Sequence, residues 1–188
     1  MKNIAIFASG SGTNAQKIME HFENSSDVHV SLVLVNNPKA GVIQRADKFN
    51  VPVVVFKREQ FNKSDEVVAI LQSKQIDLVV LAGFLWLVPT HMVKAFPNRI
   101  VNIHPALLPN YGGKGMFGDN VHNAVIAAKD TESGITIHYV NEKYDDGAII
   151  AQYTCTIEPG DTADDLASKI HKLEHQYFPQ VIEQVLTK

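Results

Sequence analysis

The feature that most constrains this chain is a rhythm of short, almost continuous apolar runs separated by amphipathic stretches. Over roughly the first hundred residues, strand-length runs at 3–8, 29–36, 53–56, 78–82 and 100–103 are interleaved with helix-period segments at 14–21, 42–49, 65–75 and 90–95. Runs such as Leu32-Val33-Leu34-Val35 lack the polar alternation of a half-wet strand. Such strands belong in a parallel sheet covered on both faces. The pattern then changes. A helix is predicted at 121–129, and two strands, 134–140 and 149–156, face each other across a turn containing Asp145-Asp146-Gly147. Last comes a long helix over 162–186, where Leu166, Ile170, Leu173, Tyr177, Val181 and Val185 keep the 3.6-residue period. Thr162 or Asp161 would cap it, with Asp164 and Asp165 favourable in its first turn. The fold class predicted is α/β: a doubly wound, mostly parallel sheet with helices on both faces, then a C-terminal hairpin plus long helix. Residues 1–188 read as a single domain, with no repeat and no linker.

Composition narrows the function. Hydrophobic residues make up 45% and charged residues 20%, as in an ordinary globular domain. A net charge of -3 argues against a nucleic-acid or acidic-membrane partner. No apolar run approaches the length of a membrane span, and a strand is predicted directly after Met1 and Lys2, so no leader is expected. The lone Cys155 cannot build an internal disulfide and suits a reducing compartment. The expectation is a cytoplasmic protein acting on small molecules, as monomer or homodimer.

Two segments carry chemistry. Ser9-Gly10-Ser11-Gly12-Thr13-Asn14-Ala15 follows the first strand and opens the first helix. Glycine allows a tight turn there, and the free N–H groups and dipole of a helix N-terminus attract an anion. The spacing Gly10-x-Gly12-x-x-Ala15 satisfies a dinucleotide fingerprint, yet the second strand ends in Val35-Asn36-Asn37-Pro38, without a ribose-binding carboxylate. A Gly-Lys-Ser/Thr phosphate motif is absent as well. Two readings stay open: a plain glycine turn with no ligand, or, favoured by its position directly after a first parallel strand, a monophosphate site built from Gly12, Thr13 and Asn14.

The second segment, VNIHPALLPN at 101–110, places Asn102 and His104 two residues apart on one face of a strand, then stiffens the chain with Pro105 and Pro109. An imidazole can move a proton, and an amide N–H can donate to a developing oxyanion. The pair needs a carboxylate, and the hairpin turn offers Asp145 or Asp146; spacing does not choose between them. With no activated protein nucleophile in sight, the chemistry is expected to join two bound substrates directly.

Ser-Gly-Ser-Gly-Thr-Asn at 9–14, Val-Val-Leu-Ala-Gly-Phe at 79–84, Asn-Ile-His-Pro-Ala-Leu-Leu-Pro at 102–109, and Gly-Ile-Thr-Ile-His-Tyr-Val followed by Tyr-Asp-Asp-Gly at 134–147 together resemble the folate-dependent formyltransferases. They come in the family's order and span nearly the whole chain. The resemblance implies a Rossmann-like formyltransferase fold. It also implies that 10-formyltetrahydrofolate, a co-substrate, gives its formyl group to the amine of glycinamide ribonucleotide, with no metal. It maps the catalytic set onto Asn102, His104 and Asp145, choosing Asp145 by its place in the hairpin motif. It puts the nucleotide phosphate on Gly12, Thr13 and Asn14, the ribose near Glu174, and the pterin near Leu85, Trp86, Leu87, Val88, His138 and Val140. Trp86 stands where some members carry arginine, and Gly112 to Gly118 is richer in glycine than the family's usual turn; a mobile substrate loop is expected there.

Three other readings compete. His171-Lys172-Leu173-Glu174-His175 spells a helical H-x-x-E-H zinc pattern, but a downstream third ligand is poorly supplied. A dehydrogenase-like nucleotide module leaves Asn102, His104 and Asp145 without a task. Family members acting on methionyl-tRNA or amino sugars usually carry a further C-terminal domain, for which 188 residues are short.

Overall fold

A computed structural model of the protein describes residues 1–187. Among these residues, seven strands form one sheet: β1 (Lys2–Ala8), β2 (Val28–Val35), β3 (Val53–Val55), β4 (Leu78–Leu81), β5 (Ile100–His104), β6 (Glu132–Tyr139) and β7 (Ile149–Thr156). Their order is β3-β2-β1-β4-β5-β6-β7. The first five pair in parallel, and β6 and β7 are antiparallel additions at one edge. This is the doubly wound, mostly parallel sheet expected, with the hairpin at its end.

Strand periodicity explains why both faces must be covered. Along β1, Ile4, Ile6 and Ala8 enter one core, while Ala5 and Phe7 enter the other. All five are fully buried. The first face is covered by α1 (Thr13–Phe22), α2 (Val42–Lys48), α6 (Asp119–Ala128) and the long α7 (Ala163–Thr187). The second is covered by α3 (Arg58–Asn62), α4 (Glu66–Ser73) and α5 (Thr90–Ala95). Alternate side chains therefore feed two separate apolar layers.

Element ends differ from the sequence reading by a few residues. One element was not foreseen: α3 is five residues long, too short for a helical period to register. Its Phe61 is fully buried against Phe7, Phe56 and Phe84, so tertiary packing makes that turn worthwhile. At the start of α7 the cap is Thr162, not Asp161. Thr162 Oγ1 accepts from the Asp165 N–H at 3.2 Å, and Asp165 Oδ2 accepts from the Thr162 N–H at 2.9 Å. That reciprocal box satisfies two groups the helix leaves open; Asp161 instead pairs with Lys169.

The strand order reverses between β1 and β4, the two central neighbours. Chains leaving their carboxyl ends diverge to opposite faces, opening a crevice. One cleft of about 380 Å³ lies there, lined by the loops after β1, β4 and β5, by the β6–β7 hairpin and by α7.

Candidate active site

The loop after β1 is held from two sides. Gly12 adopts φ 76°, and a Cβ built there would run into the side chain of Val42. Gly10 O accepts from the Val42 N–H at 3.2 Å, and Ser11 O accepts from Arg45 Nε at 2.7 Å. Seated on α2 in this way, the loop delivers Gly12, Thr13 and Asn14 to the cleft with no side chain capping α1. The uncapped first turn presents N–H donors and a positive dipole end. Asn14 Nδ2 donates to Glu174 Oε2 of α7 at 2.9 Å, and His171 Nδ1 lies 3.0 Å from the same oxygen. Glu174 is only 6% exposed, so these neighbours rather than water satisfy its carboxyl oxygen. Its hydrogen bond raises the His171 imidazole above its ordinary pKa.

Across the cleft, the antiparallel register sets Asn102 of β5 directly opposite His138 of β6. Their side chains meet at 3.1 Å between Asn102 Nδ2 and His138 Nε2. His138 Nδ1 lies 2.8 Å from the Tyr139 carbonyl, which can only accept, so this nitrogen carries the hydrogen. Nε2 is then the acceptor, and the second Asn102 amide hydrogen is left for the cleft. His104, two residues along β5, places Nδ1 3.5 Å from Asp145 Oδ2, and His138 Nε2 lies 3.7 Å from Asp145 Oδ1. Asp145 has φ 51°, a left-handed conformation that aims its carboxylate back over the sheet edge. Asp146 is exposed, paired with Lys143 and bonded to Asn141. The hairpin turn thus sends one carboxylate into the cleft and the other to solvent.

Electrostatics divides these groups. Burial pushes the His104 imidazole below its ordinary pKa, against the upward pull of Asp145 and of the Tyr111 carbonyl. Burial also pushes the Asp145 carboxyl up, but His138, His104 and the Gly113 N–H bring it below the usual carboxylate range. At neutral pH the ligand-free site therefore holds a carboxylate beside an imidazole reluctant to charge.

Leu85, Trp86, Leu87 and Val88, in the loop after β4, form the apolar wall with Val140. Leu85 and Leu87 are exposed, at 49% and 38%, and leave an apolar surface open to solvent. Trp86 packs edge-on against Phe56 and Phe84, with the Arg58 guanidinium 5.0 Å from its ring centre. Ser9 ties the two walls: its N–H donates to Gly83 O at 3.1 Å, and its Oγ accepts from the Leu85 N–H at 3.1 Å.

Every site residue singled out in the sequence lines this one cleft. Residue spacing carries no signal for His122, buried on α6, and shows His171 only as half of a metal pattern. Among the described residues, His122 Nδ1 and Asn14 Oδ1 are buried without a hydrogen-bond partner, and both residues face the cleft. Among the described residues, no group of three or more His, Cys, Asp or Glu is arranged to hold a metal. The stretch from Gly113 to Gly118 also lines the cleft, with Phe117 47% exposed.

An uncapped helix N-terminus, an amide–imidazole–carboxylate cluster and an apolar wall share one crevice, and known proteins share the chain that builds it. Residues 2–182 match the family model described as formyl transferase. The chain is 41% identical over 187 residues to the chloroplastic phosphoribosylglycinamide formyltransferase of Arabidopsis thaliana, covering 96% of this chain and 64% of that protein. It thus spans under two thirds of the length of that plant relative. It is 37% identical to the phosphoribosylglycinamide formyltransferase of Bacillus subtilis, covering 99% of this chain and 95% of that one. The crystal structure of glycinamide ribonucleotide transformylase 1 from Geobacillus kaustophilus superposes with a TM-score of 0.90 at 37% identity, covering 99% of each chain. A family model matched over almost the whole sequence, together with a bacterial relative matched nearly end to end, means that the chain belongs to the formyl transferase family.

Proposed function

We propose that this chain transfers the formyl group of 10-formyltetrahydrofolate to the amine of 5'-phosphoribosylglycinamide, a step of purine biosynthesis in the cytoplasm. One observation carries the reading: Asn102, His104 and Asp145 line the same cleft as the uncapped N-terminus of α1 and the exposed apolar wall. A phosphorylated amine and a flat, largely apolar formyl donor would meet over that cluster. The bacterial relative's name and near-complete overlap support the same formyl acceptor.

In this reading Gly12, Thr13 and Asn14 take the phosphate at the α1 N-terminus, and Glu174 takes ribose hydroxyls. Leu85, Trp86, Leu87, Val88 and Val140 flank the pterin, with His138 at its edge. Attack of the amine on the formyl carbon forms a C–N bond and leaves an oxyanion and an ammonium. The free Asn102 amide hydrogen donates to the oxyanion. His104 enters neutral because it is buried, and accepts the ammonium proton at Nδ1, beside Asp145. The imidazolium then lies between two negative charges, the oxyanion and Asp145, which together offset the burial that opposed charging it. The proton passes to the folate N10 as its bond to the formyl carbon breaks. No external oxidant or nucleophile is needed.

The decisive experiment mixes the protein with 10-formyltetrahydrofolate and follows deformylated folate by absorbance, with and without glycinamide ribonucleotide. Production that requires the ribonucleotide is expected, with formylated product by mass spectrometry. Folate release that is equally fast without the ribonucleotide, or that requires methionyl-tRNA or an amino-sugar nucleotide instead, would overturn the assignment.

A further inference from the structure

Tyr111 lies just beyond the Pro105–Pro109 turn, seven residues from His104, and touches the acid–base pair without offering its own functional group to the cleft. Its backbone carbonyl accepts from His104 Nε2 at 2.8 Å. Its phenol donates to Asp130 Oδ2, in the turn between α6 and β6, at 2.7 Å. The Asp130 carboxylate also pushes the phenol pKa up, which keeps the hydroxyl a donor. Two residues on, the Gly113 N–H donates to Asp145 Oδ2 at 2.9 Å. A three-residue segment therefore holds both partners of the pair, His104 through a carbonyl and Asp145 through an N–H.

Two further facts give this contact a consequence. A carbonyl oxygen only accepts, so its partner Nε2 must carry hydrogen, and the neutral ring keeps its lone pair on Nδ1. Nδ1 is the nitrogen 3.5 Å from Asp145. Tyr111 has φ 56°, a left-handed conformation uncommon outside glycine, and that twist turns its carbonyl towards β5. A residue in that region persists when its surroundings over-determine it. Here the phenol anchor at Asp130 and the carbonyl contact at His104 restrain it from both ends.

We propose that Tyr111, anchored by Asp130, is a positioning residue for His104: it fixes the imidazole tautomer so that proton uptake happens at Nδ1, facing Asp145. The inference rests on the formyl-transfer reading for its kinetic consequence, but not for its structural one. Without the anchor the carbonyl drifts, the ring samples both tautomers, and a fraction of the enzyme presents the wrong nitrogen. Binding of either substrate is untouched, because neither the Tyr111 phenol nor Asp130 lines the cleft.

The test uses Tyr111→Phe, Asp130→Ala and Asp130→Asn. Nitrogen-15 NMR of the ligand-free protein reads the His104 tautomer and its titration directly. The first two variants are expected to replace a single Nε2–H tautomer by a mixture and to move the His104 titration to lower pH, since the lost carbonyl had raised it. With substrates, kcat is expected to fall on the order of tenfold to a hundredfold, as for a misaligned reacting group, with both KM values within about twofold. Asp130→Asn keeps an acceptor for the phenol and should restore both readouts. The double variant should be no worse than either single one. A purely structural role predicts a lower melting temperature with His104 tautomer, titration and kcat unchanged in the folded fraction; that outcome, or multiplicative losses in the double variant, would overturn the proposal. If Tyr111→Phe fails to fold, the two Asp130 variants decide by the same readouts. A wild-type protein inactive with these substrates refutes the formyl-transfer reading, while the NMR result still decides the role of Tyr111.

Discussion

Asn14, in the first turn of the first helix, and Glu174, midway along the last, lie 160 residues apart in sequence and meet at 2.9 Å. This bond ties the start of α1 to α7, and both residues line the cleft. It also commits the amide nitrogen of Asn14, leaving Oδ1 buried and unpartnered. A polar ligand with a hydroxyl donor would satisfy it.

Replacing Glu174 by Ala removes the buried acceptor shared by Asn14 and His171. KM for the ribonucleotide is expected to rise about tenfold or more, the equivalent of roughly 1.4 kcal/mol, while KM for the folate stays near its wild-type value. Steady-state kinetics with each substrate varied in turn checks this; an unchanged ribonucleotide KM would overturn the proposed role of Glu174 at the ribose.

His104→Ala and Asp145→Asn are expected to lower kcat on the order of a hundredfold or more, as when a preorganised transition-state donor is lost. Circular dichroism should show the fold intact in both. Near-normal turnover in either variant would sink the proposed acid–base pair. In ligand-free Asp145→Asn, the His104 titration should also move to lower pH, because the carboxylate that pulls it upward is gone.

Acid should destabilise the protein before its carboxylates titrate. Burial holds His104, His122 and His175 below the ordinary imidazole pKa, so the unfolded chain binds those protons more readily. Stability from this source is complete above about pH 6.5 and is lost as pH falls from there through the folded-state values. His171 works in the opposite sense: its Glu174 hydrogen bond raises its pKa, so its contribution is present below the ordinary value and fades as pH rises through the folded one. Its ring is largely exposed, with 55% side-chain accessibility, so this term is screened and small. Melting temperature is expected to drop between about pH 7 and about pH 5, and to drop less in His122→Gln. A flat profile over that range would contradict the burial argument.

Thr136 anchors the loop that follows His104. Its fully buried hydroxyl donates to Ala106 O at 2.7 Å and accepts from the Leu108 N–H and from Gln152 Nε2, each at 2.9 Å. Thr136→Val keeps the shape but strands these groups, at a cost of about 1–3 kcal/mol for an unsatisfied buried partner. Urea unfolding should show a lower midpoint with an unchanged slope, and no loss of stability would mean that water replaces the hydroxyl.

Gly12→Ala tests the cradle. The added Cβ meets Val42 at a φ that L-residues seldom adopt, so both overpacking, about 1–3 kcal/mol, and backbone strain oppose it. Lower thermal stability and a raised ribonucleotide KM are expected together. A variant as stable and as tight-binding as the parent would show that the loop can shift without consequence.

By itself the sequence determined which faces are buried and which segments carry chemistry. Apolar continuity in the first five strands demands cover on both sides, and the Asp-Asp-Gly turn between two later strands demands a hairpin. Spacing also put Asn102 and His104 on one face, because a strand repeats every two residues. Only the tertiary structure decided between Asp145 and Asp146 on geometric grounds: adjacent residues on a turn point different ways, and local spacing carries no record of where the sheet lies. The same limit hid α3, whose stability comes from Phe61 in a distant aromatic cluster, and Tyr111, which acts through a backbone carbonyl that any side chain could carry. It hid His171 too, because a helical i, i+3 pair reads alike as a metal site or as a hydrogen bond to Glu174. Contacts between residues far apart in the chain are settled by how the layers stack, and that is where the cleft is made.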